Sequence, residues 1–174
     1  MQDIVLINGY RVDFPILPTG LGYVAQALEN AGFGYEICDV NIQTHNQIID
    51  IVDDIKPQYV GLGTMSYDIE KNYSLLKSIH ESVPNVTIIL GGPHAIAAGK
   101  DIFNDCSIID VVIKGEAEKA IVSLLNGEQL VPGVIKRDLV DEAVPLEQLD
   151  IKNIDFPKYN KFDLEKYGNT INLA

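Results

Sequence analysis

The sequence predicts an α/β fold in which helices cover both faces of a parallel β-sheet. Five short apolar runs alternate with stretches in which apolar residues recur every three or four positions, the spacing of an amphipathic helix. Parallel strands need long crossover connections, and helices of this length supply them. The chain has 174 residues and is 47% hydrophobic, which suits one compact domain with a sizeable core and a short appendage.

The predicted strands cover residues 3–8, 35–39, 59–63, 86–90 and 110–113. Helical stripes of apolar residues separate and follow them. One helix opens with a capping box formed by Thr44 and Gln47, and Pro84 forbids continuation of the next. Five such units predict a flavodoxin-like (Rossmann-like) three-layer sandwich with a five-stranded parallel sheet in the order 2-1-3-4-5.

The regular alternation stops after Gly127, and this sets a predicted boundary. Residues 1–127 would form the α/β domain, and residues 128–174 a hairpin and linker. Within the second part, residues 134–140 would make one short hairpin. Residues 150–168 carry many charged and aromatic side chains without a clear period, and they would form an extended linker or an arm lying on the domain.

The fourth predicted strand runs into a turn without side chains. Gly91 and Gly92 lack Cβ atoms, so the main chain can adopt unusual dihedrals and another surface can come close, while Pro93 suits the first turn of a following helix. In an open α/β sheet, ligands bind at this end of the strands. This stretch alone leaves two interpretations open, a ligand site or a loop that needs glycine for steric reasons.

Composition and charge argue against several classes of protein. Lys and Arg number 13 against 25 Asp and Glu, a net charge of -12, so no basic stripe is present to neutralise a nucleic acid. Cys38 and Cys106 lie outside any metal-binding spacing and are expected to be free thiols in a reducing compartment. No apolar segment approaches the roughly 20 residues of a membrane span, and no signal peptide is recognisable. We therefore expect a cytoplasmic protein.

Ligands common in this architecture fit the strand ends poorly. A phospho-receiver needs acidic residues after the first strand and an Asp after the third, where this chain has Asn8 and Thr64. Residues 20–25 follow the Gly-x-Gly-x-x-Gly/Ala pattern of dinucleotide-binding domains, and Asp39 lies at a suitable distance. However, residues 9–19 separate this pattern from the strand that should precede it directly. A dinucleotide site is therefore the weaker alternative, and the phosphate loop of FMN-binding flavodoxins is missing.

Four motifs follow one another at successive strand ends. They are Pro-Thr-Gly-Leu-Gly-Tyr-Val-Ala at 18–25, Lys-Pro at 56–57 with Gly-Leu-Gly-Thr at 61–64, Leu-Gly-Gly-Pro-His at 90–94, and Val-Ile-Lys-Gly-Glu-Ala-Glu at 112–118. With these motifs the chain resembles the N-terminal cobalamin-binding domain of the cobalamin-dependent radical S-adenosylmethionine enzymes. Residues 149–159 further resemble the family's connection to its catalytic barrel, and residues 170–174 resemble the first strand of that barrel.

The resemblance implies that cobalamin binds with its corrin ring over the strand ends and its nucleotide tail beside the strands. Carried over residue by residue, two hydroxyls would contact the tail, the glycine turn would leave room for it, and the remaining residues would border the ring. These candidate cofactor-binding residues are Leu17, Thr19, Gly20, Leu21, Gly22, Thr64, Ser66, Gly91, Gly92, Pro93, His94, Gly115 and Glu116.

Simpler roles stay open for several of these residues. Thr64 and Ser66 are also suited to capping the following helix, and Glu116 and Glu118 suit a helix N-terminus on dipole grounds alone. His94 is also able to satisfy backbone groups in its own turn. No catalytic residue is predicted, because the strand-end motifs contain no pair of nucleophile and base. No metal ligand is predicted, because residues 8–15 lack the His of the Asp-x-His-x-x-Gly motif that ligates cobalt in many cobalamin domains.

The same resemblance implies a parent enzyme in which a barrel domain holds S-adenosylmethionine and a four-iron four-sulfur cluster. The three cysteines that bind such a cluster are absent from this sequence. We therefore expect a fragment or a shortened chain without turnover of its own, whose partners are cobalamin and the barrel. The parent's reaction stays open between methyl transfer and other radical chemistry. A docking module that has lost its cofactor is the alternative from another functional class.

Overall fold

A computed structural model describes residues 2–142, 144–145 and 155–167. The strands are β1 (Ile4–Asn8), β2 (Tyr35–Asp39), β3 (Tyr59–Gly63), β4 (Thr87–Gly91), β5 (Val111–Ile113) and β6 (Val134–Lys136). The α-helices are α1 (Thr19–Asn30), α2 (His45–Ile55), α3 (Ile69–Ser82), α4 (Pro93–Ala98), α5 (Ile102–Asp105) and α6 (Ala117–Leu125). Short 3₁₀ turns lie at Ser66–Asp68, Gly99–Asp101, Arg137–Glu142 and Leu164–Tyr167. Within the described residues, no helix combines the length and the apolar character that a membrane crossing requires.

The strands form one sheet in the order β2-β1-β3-β4-β5-β6, and the first five run parallel. The predicted fold class and the order 2-1-3-4-5 of the parallel strands are therefore confirmed. The predicted count of five strands is wrong, because the sheet has a sixth. The capping box at the start of α2 is present as well, because the Thr44 side chain accepts from the Gln47 backbone amide and the Gln47 side chain accepts from the Thr44 amide.

The sixth strand corrects the expectation of a separate hairpin over residues 134–140. Residues 134–136 pair antiparallel with β5, and the chain then enters 3₁₀ turns from Arg137 onward. An uncovered β5 edge would present a row of unpaired backbone groups, and β6 satisfies them. The prediction missed this pairing because β6 is only three residues long and has no sequence period of its own.

Two separate cores lie on the two faces of the sheet. On one face α2 and α3 pack on alternate strand residues that include Val60, Leu62, Ile88 and Leu90. On the other face α1 and α6 pack on a smaller set that includes Leu6 and Ile89. Alternate residues of a strand point to opposite faces, so the three-layer arrangement follows directly from the strand sequences.

The described part of the predicted linker, residues 155–167, lies on the domain as an arm. Tyr159, Phe162 and Tyr167 pack against the core beneath α1, and the Lys158 amide donates to the Gly22 carbonyl at 3.0 Å. Residues 146–154 and 168–174 lie outside the described residues. These ranges include most of the stretch that resembles the family's connection to its barrel, and all of the stretch that resembles the first strand of the barrel.

Arg137 fixes the chain after β6 to the body of the domain. Its guanidinium donates to the carbonyls of Ile109 at 2.9 Å, Phe103 at 3.2 Å and Cys106 at 2.9 Å, and it lies 4.8 Å from the centre of the Phe103 ring. Carbonyls at the end of α5 have no helical partner, so a cation at this point is favourable.

We expect Arg137→Ala to lower the free energy of unfolding by about 1–3 kcal/mol, because it leaves three carbonyls without their charged donor. Urea unfolding followed by circular dichroism measures the change. Lys100→Ala, an exposed position, is the matched control and should be nearly neutral. An Arg137→Ala midpoint equal to that of the control would show that the segment after β6 contributes nothing to stability.

Candidate functional site

Three glycines leave one face of the central strands bare at their carboxyl ends. Gly63 of β3 is paired in register with Gly91 of β4 and with Asn8 of β1, and two residues earlier Gly61 is paired with Leu6 and Ile89. Residues two apart along a strand share a face, so these two rows lie on the same side of the sheet. Together the two rows form a trough, with Asn8, Gly63 and Gly91 at the strand ends and the apolar Leu6 and Ile89 beside Gly61 two residues deeper.

This trough is the floor of a cavity of about 470 Å³ that lies between α1 and α6. Such a volume is typical of small-molecule sites. Apolar side chains line its depth and backbone-rich turns line its mouth. The lining comprises Leu6, Asn8, Tyr10, Pro18, Thr19, Gly20, Leu21, Val24, Gly61, Leu62, Gly63, Ile89, Gly91, Gly92, Pro93, Ile96, Ile113, Gly115, Glu116, Ala117, Glu118 and Ile121.

The glycines of the lining differ in what a side chain would meet. A Cβ at Gly91 would have no other atom within 4 Å, and the same is true of Gly20. Side chains at these positions would therefore project into open space at the cavity. A Cβ at Gly92 would stand 2.5 Å from the Tyr10 hydroxyl and 2.9 Å from the Thr64 amide nitrogen, and φ at Gly92 is +88°. The backbone thus requires glycine at position 92, whereas at position 91 the missing side chain only leaves space in the cavity.

The lining combines acidic side chains with the N-terminal turns of three helices. The lining contains Glu116 and Glu118 but no Lys or Arg. The first turns of α1, α4 and α6 all lie at the mouth, where Thr19, Pro93 and Ala117 belong to the lining. Unpaired amides at helix N-termini carry partial positive charge. The mouth therefore combines two acidic side chains with the partial positive charge of three helix N-termini.

Tyr10 covers the turn between β4 and α4 from the side of β1. Its hydroxyl lies 3.6 Å from the position of a Cβ at Gly63, so the ring stands over the end of β3. Burial, and to a smaller extent the neighbouring Tyr67, raise the pKa of Tyr10. The phenol is therefore a neutral donor at this end of the cavity.

Eight of the thirteen sequence-predicted residues line the cavity together, namely Thr19, Gly20, Leu21, Gly91, Gly92, Pro93, Gly115 and Glu116. The remaining five do not belong to the lining. Leu17 packs on the core beneath α1. Gly22 lies under the arm, because a Cβ there would stand 2.6 Å from the Tyr159 ring.

Thr64, Ser66 and His94 form a second group beside the cavity. Thr64 is fully buried; its hydroxyl donates to the Met65 carbonyl at 3.0 Å and accepts from the Asn72 side chain at 2.6 Å. Nδ1 of His94 lies 3.0 Å from the Ser66 hydroxyl. Neither hydroxyl caps the following helix. Burial lowers the pKa of His94, against the opposing effect of Asp105, so the imidazole is held neutral.

Sequence reasoning missed the residues that form the floor and side of the cavity. Gly61 and Gly63 stand two apart in β3, and this spacing was the available signal that both lie on one face. Asn8 ends the first strand, which was a second available signal. Tyr10 and Glu118 gave none, because their place in the cavity depends on how the loop after β1 and α6 fold over the sheet.

The dinucleotide alternative meets two obstacles in the structure. The second glycine of its pattern, Gly22, is covered by the arm. Asp39, the residue that should bind a ribose, is fully buried, and its carboxylate already accepts from Asn8 at 3.0 Å, Tyr167 at 2.9 Å and the Asn41 amide at 2.8 Å.

Comparison with known proteins identifies the class to which this fold and site belong. The family model of the B12 binding domain matches residues 6–125, which is more than half of the chain. The chain therefore belongs to the B12 binding domain family. This confirms the resemblance to the cobalamin-binding domain of radical S-adenosylmethionine enzymes that the sequence motifs indicated.

Individual relatives cover this domain only as part of longer chains. The anaerobic magnesium-protoporphyrin IX monomethyl ester cyclase of Cereibacter sphaeroides is 28% identical over 112 residues, 63% of this chain and 18% of its own length. The structure of the radical S-adenosylmethionine enzyme OxsB with aqua-cobalamin bound has a TM-score of 0.75 at 20% identity, covering 90% of this chain and 24% of that one. The structure of the radical S-adenosylmethionine methyltransferase TsrM of Kitasatospora setae, with cobalamin and a four-iron four-sulfur cluster bound, has a TM-score of 0.68 at 21% identity. The match covers 78% of this chain and 29% of that one.

The two glycines of the β4 turn should respond differently to the same substitution. We expect Gly92→Ala to lower the free energy of unfolding by about 1–3 kcal/mol, because a Cβ is strained at positive φ and meets the Thr64 backbone. Gly91→Ala should leave stability nearly unchanged. Urea unfolding of both variants measures the difference, and equal midpoints would contradict the backbone geometry of this turn.

Proposed function

We propose that this chain binds cobalamin as the cofactor module of a radical S-adenosylmethionine enzyme, with the nucleotide tail in the trough between α1 and α6. The observation that carries the proposal is the open slot over Gly91 at the carboxyl end of β4, in a cavity whose lining also includes Gly61 and Gly63. A Cβ at Gly91 would project into that slot without any protein contact.

The lining suits the chemistry of the tail from depth to mouth. Leu6, Ile89 and Ile121 would surround an aromatic nucleotide base, and the phosphodiester would lie near the first turn of α1, where backbone amides and Thr19 can donate. Pro93 and Ile96 at the mouth offer apolar surface to the face of the corrin ring. The bound cofactor would supply a cobalt centre for transfer chemistry, while the residues of this chain bind and orient it.

The remainder of the parent enzyme is part of the same proposal. The chain spans between 18% and 29% of the lengths of the three relatives described above, so a barrel with S-adenosylmethionine and an iron-sulfur cluster would be its partner. We place the cofactor module at residues 1–127, close to the end of the family match, with β6 and the arm packed on it. The connection to the barrel would lie within residues 128–174. Two buried free cysteines support a cytoplasmic location.

We expect the chain to bind hydroxocobalamin at a 1:1 limit and to bind neither NAD nor FAD. Equilibrium dialysis with visible absorption detection measures this. Gly91→Leu should weaken cobalamin binding at least about tenfold, because a branched side chain would fill the slot that the tail needs. Thr87→Val, at the opposite end of the same strand, is the control and should bind like the wild type.

The results separate the two functions open to this family. A folded wild-type chain that retains no cobalamin would overturn the proposal in favour of a docking module without a cofactor. Unchanged affinity in a folded Gly91→Leu variant would place the ligand outside the trough.

We further expect bound cobalt to carry no protein nitrogen. No His side chain lines the cavity where the structure describes it; His94 contacts Ser66, and Nε2 of His45 lies 3.0 Å from the Arg11 guanidinium. Electron paramagnetic resonance of the bound Co(II) form should therefore show no nitrogen superhyperfine splitting. A splitting that disappears in His94→Ala would identify this histidine as a ligand and contradict the expectation.

A further inference from the structure

One side chain of the cavity lining has a hydrogen-bonding atom without a partner. Glu118 lies in the first turn of α6 and belongs to the lining. Its Oε2 atom is buried and has no hydrogen-bond partner among the described residues. A buried oxygen without a donor costs free energy comparable to a lost hydrogen bond, so a side chain kept in this position calls for an explanation.

The helix dipole alone does not explain it. A carboxylate stabilises a helix N-terminus just as well from solvent, and the neighbouring Glu116 is exposed at the start of the same helix. Burial raises the pKa of Glu118, and so does the charge of Glu116, while a hydrogen bond from its own backbone amide acts in the opposite direction. The unliganded protein therefore holds this carboxyl group at a cost.

We propose that Glu118 is a cofactor-recognition residue: its carboxylate, whose free oxygen is shielded from the cavity in the unliganded structure, turns toward the bound molecule and accepts a hydrogen bond from one of its N–H or O–H donors. The inference rests on the proposed cobalamin function. Two parts of cobalamin carry such donors, the carboxamide side chains of the corrin ring and the ribose hydroxyl of the tail. The phosphodiester has no donor and would be repelled by the carboxylate, so it would lie on the α1 side of the mouth.

The surroundings leave a ligand as the source of the donor. The other titratable groups that line the cavity are Glu116 on α6 and Tyr10 after β1. The lining residues from α1, from the β4 turn with α4, and from β5 carry no charge. Glu118 thus has no cation opposite it to compensate its charge, and a neutral donor from the ligand would complete its hydrogen bonding.

Variants of Glu118 should separate recognition from stability. We expect Glu118→Gln to raise the Kd for hydroxocobalamin about fivefold and Glu118→Ala about tenfold or more, since a hydrogen bond to a charged acceptor is replaced by a neutral one or lost. The unliganded Glu118→Gln variant should unfold at the same or a higher temperature, because a buried charge is removed. Glu81→Gln, exposed on α3, is the matched control.

Proton linkage provides the second readout. A donor in the complex lowers the pKa of Glu118 from its raised value in the free protein, so binding releases protons and the affinity falls as pH falls through that raised pKa. Calorimetry of hydroxocobalamin binding in two buffers of different ionisation enthalpy should detect this release in the wild type and a smaller release in Glu118→Gln. Dicyanocobinamide, which lacks the nucleotide, identifies the source: a Glu118 effect that persists assigns a ring carboxamide, and one that vanishes assigns the tail.

The outcomes distinguish this inference from the function on which it rests. A folded wild type without affinity for cobalamin would overturn both. Wild-type binding with unchanged Kd and unchanged proton release in Glu118→Gln and Glu118→Ala would overturn the role of Glu118 alone, and the proposed function would stand.

Discussion

The site depends on one constraint, the absence of side chains from one face of β3 and β4 at their carboxyl ends. Gly61, Gly63 and Gly91 share this face, while the opposite face of the same strands carries Leu62 and Leu90 in a fully packed core. Because alternate residues serve alternate faces, the domain can keep a stable core under α2 and α3 and still leave a slot under α1 and α6. One face of the sheet thus contributes the packed core, and the other face contributes the cavity.

The arm extends this division to the end of the described chain. Tyr167 reaches the edge of the sheet and donates to Asp39 at 2.9 Å, and Asp39 in turn accepts from Asn8, which lines the cavity. Burial and the charge of Asp39 raise the pKa of Tyr167, so the phenol remains a donor. A continuous buried hydrogen-bond network therefore connects the arm to the floor of the cavity.

Sequence reasoning predicted what local patterns encode. The two helical layers, the capping box of Thr44 and the glycine turn at Gly91 follow from periodicity and turn chemistry. The strand order came from the flavodoxin-like order that five alternating strand and helix units suggest. The β6 pairing was missed because a three-residue strand has no period, and the buried bonds of Thr64 were missed because they depend on Asn72 eight residues away. The sequence alone explained Glu118 by the dipole of its helix. The packing of α6 shows instead that one of its carboxylate oxygens is buried without a hydrogen-bond donor. The rest of the site is formed by tertiary contacts, which local sequence patterns do not predict.

The central claim is that the slot beside β3 and β4 receives the tail of the cofactor. A crystal structure of the chain grown with hydroxocobalamin tests it most directly. The account predicts the nucleotide in the trough between α1 and α6, in contact with Gly61, Gly63 and Gly91, and the corrin ring over the turn at Gly92. Cobalamin bound elsewhere on the domain, or a trough that remains without the nucleotide while the ring is bound, would contradict it.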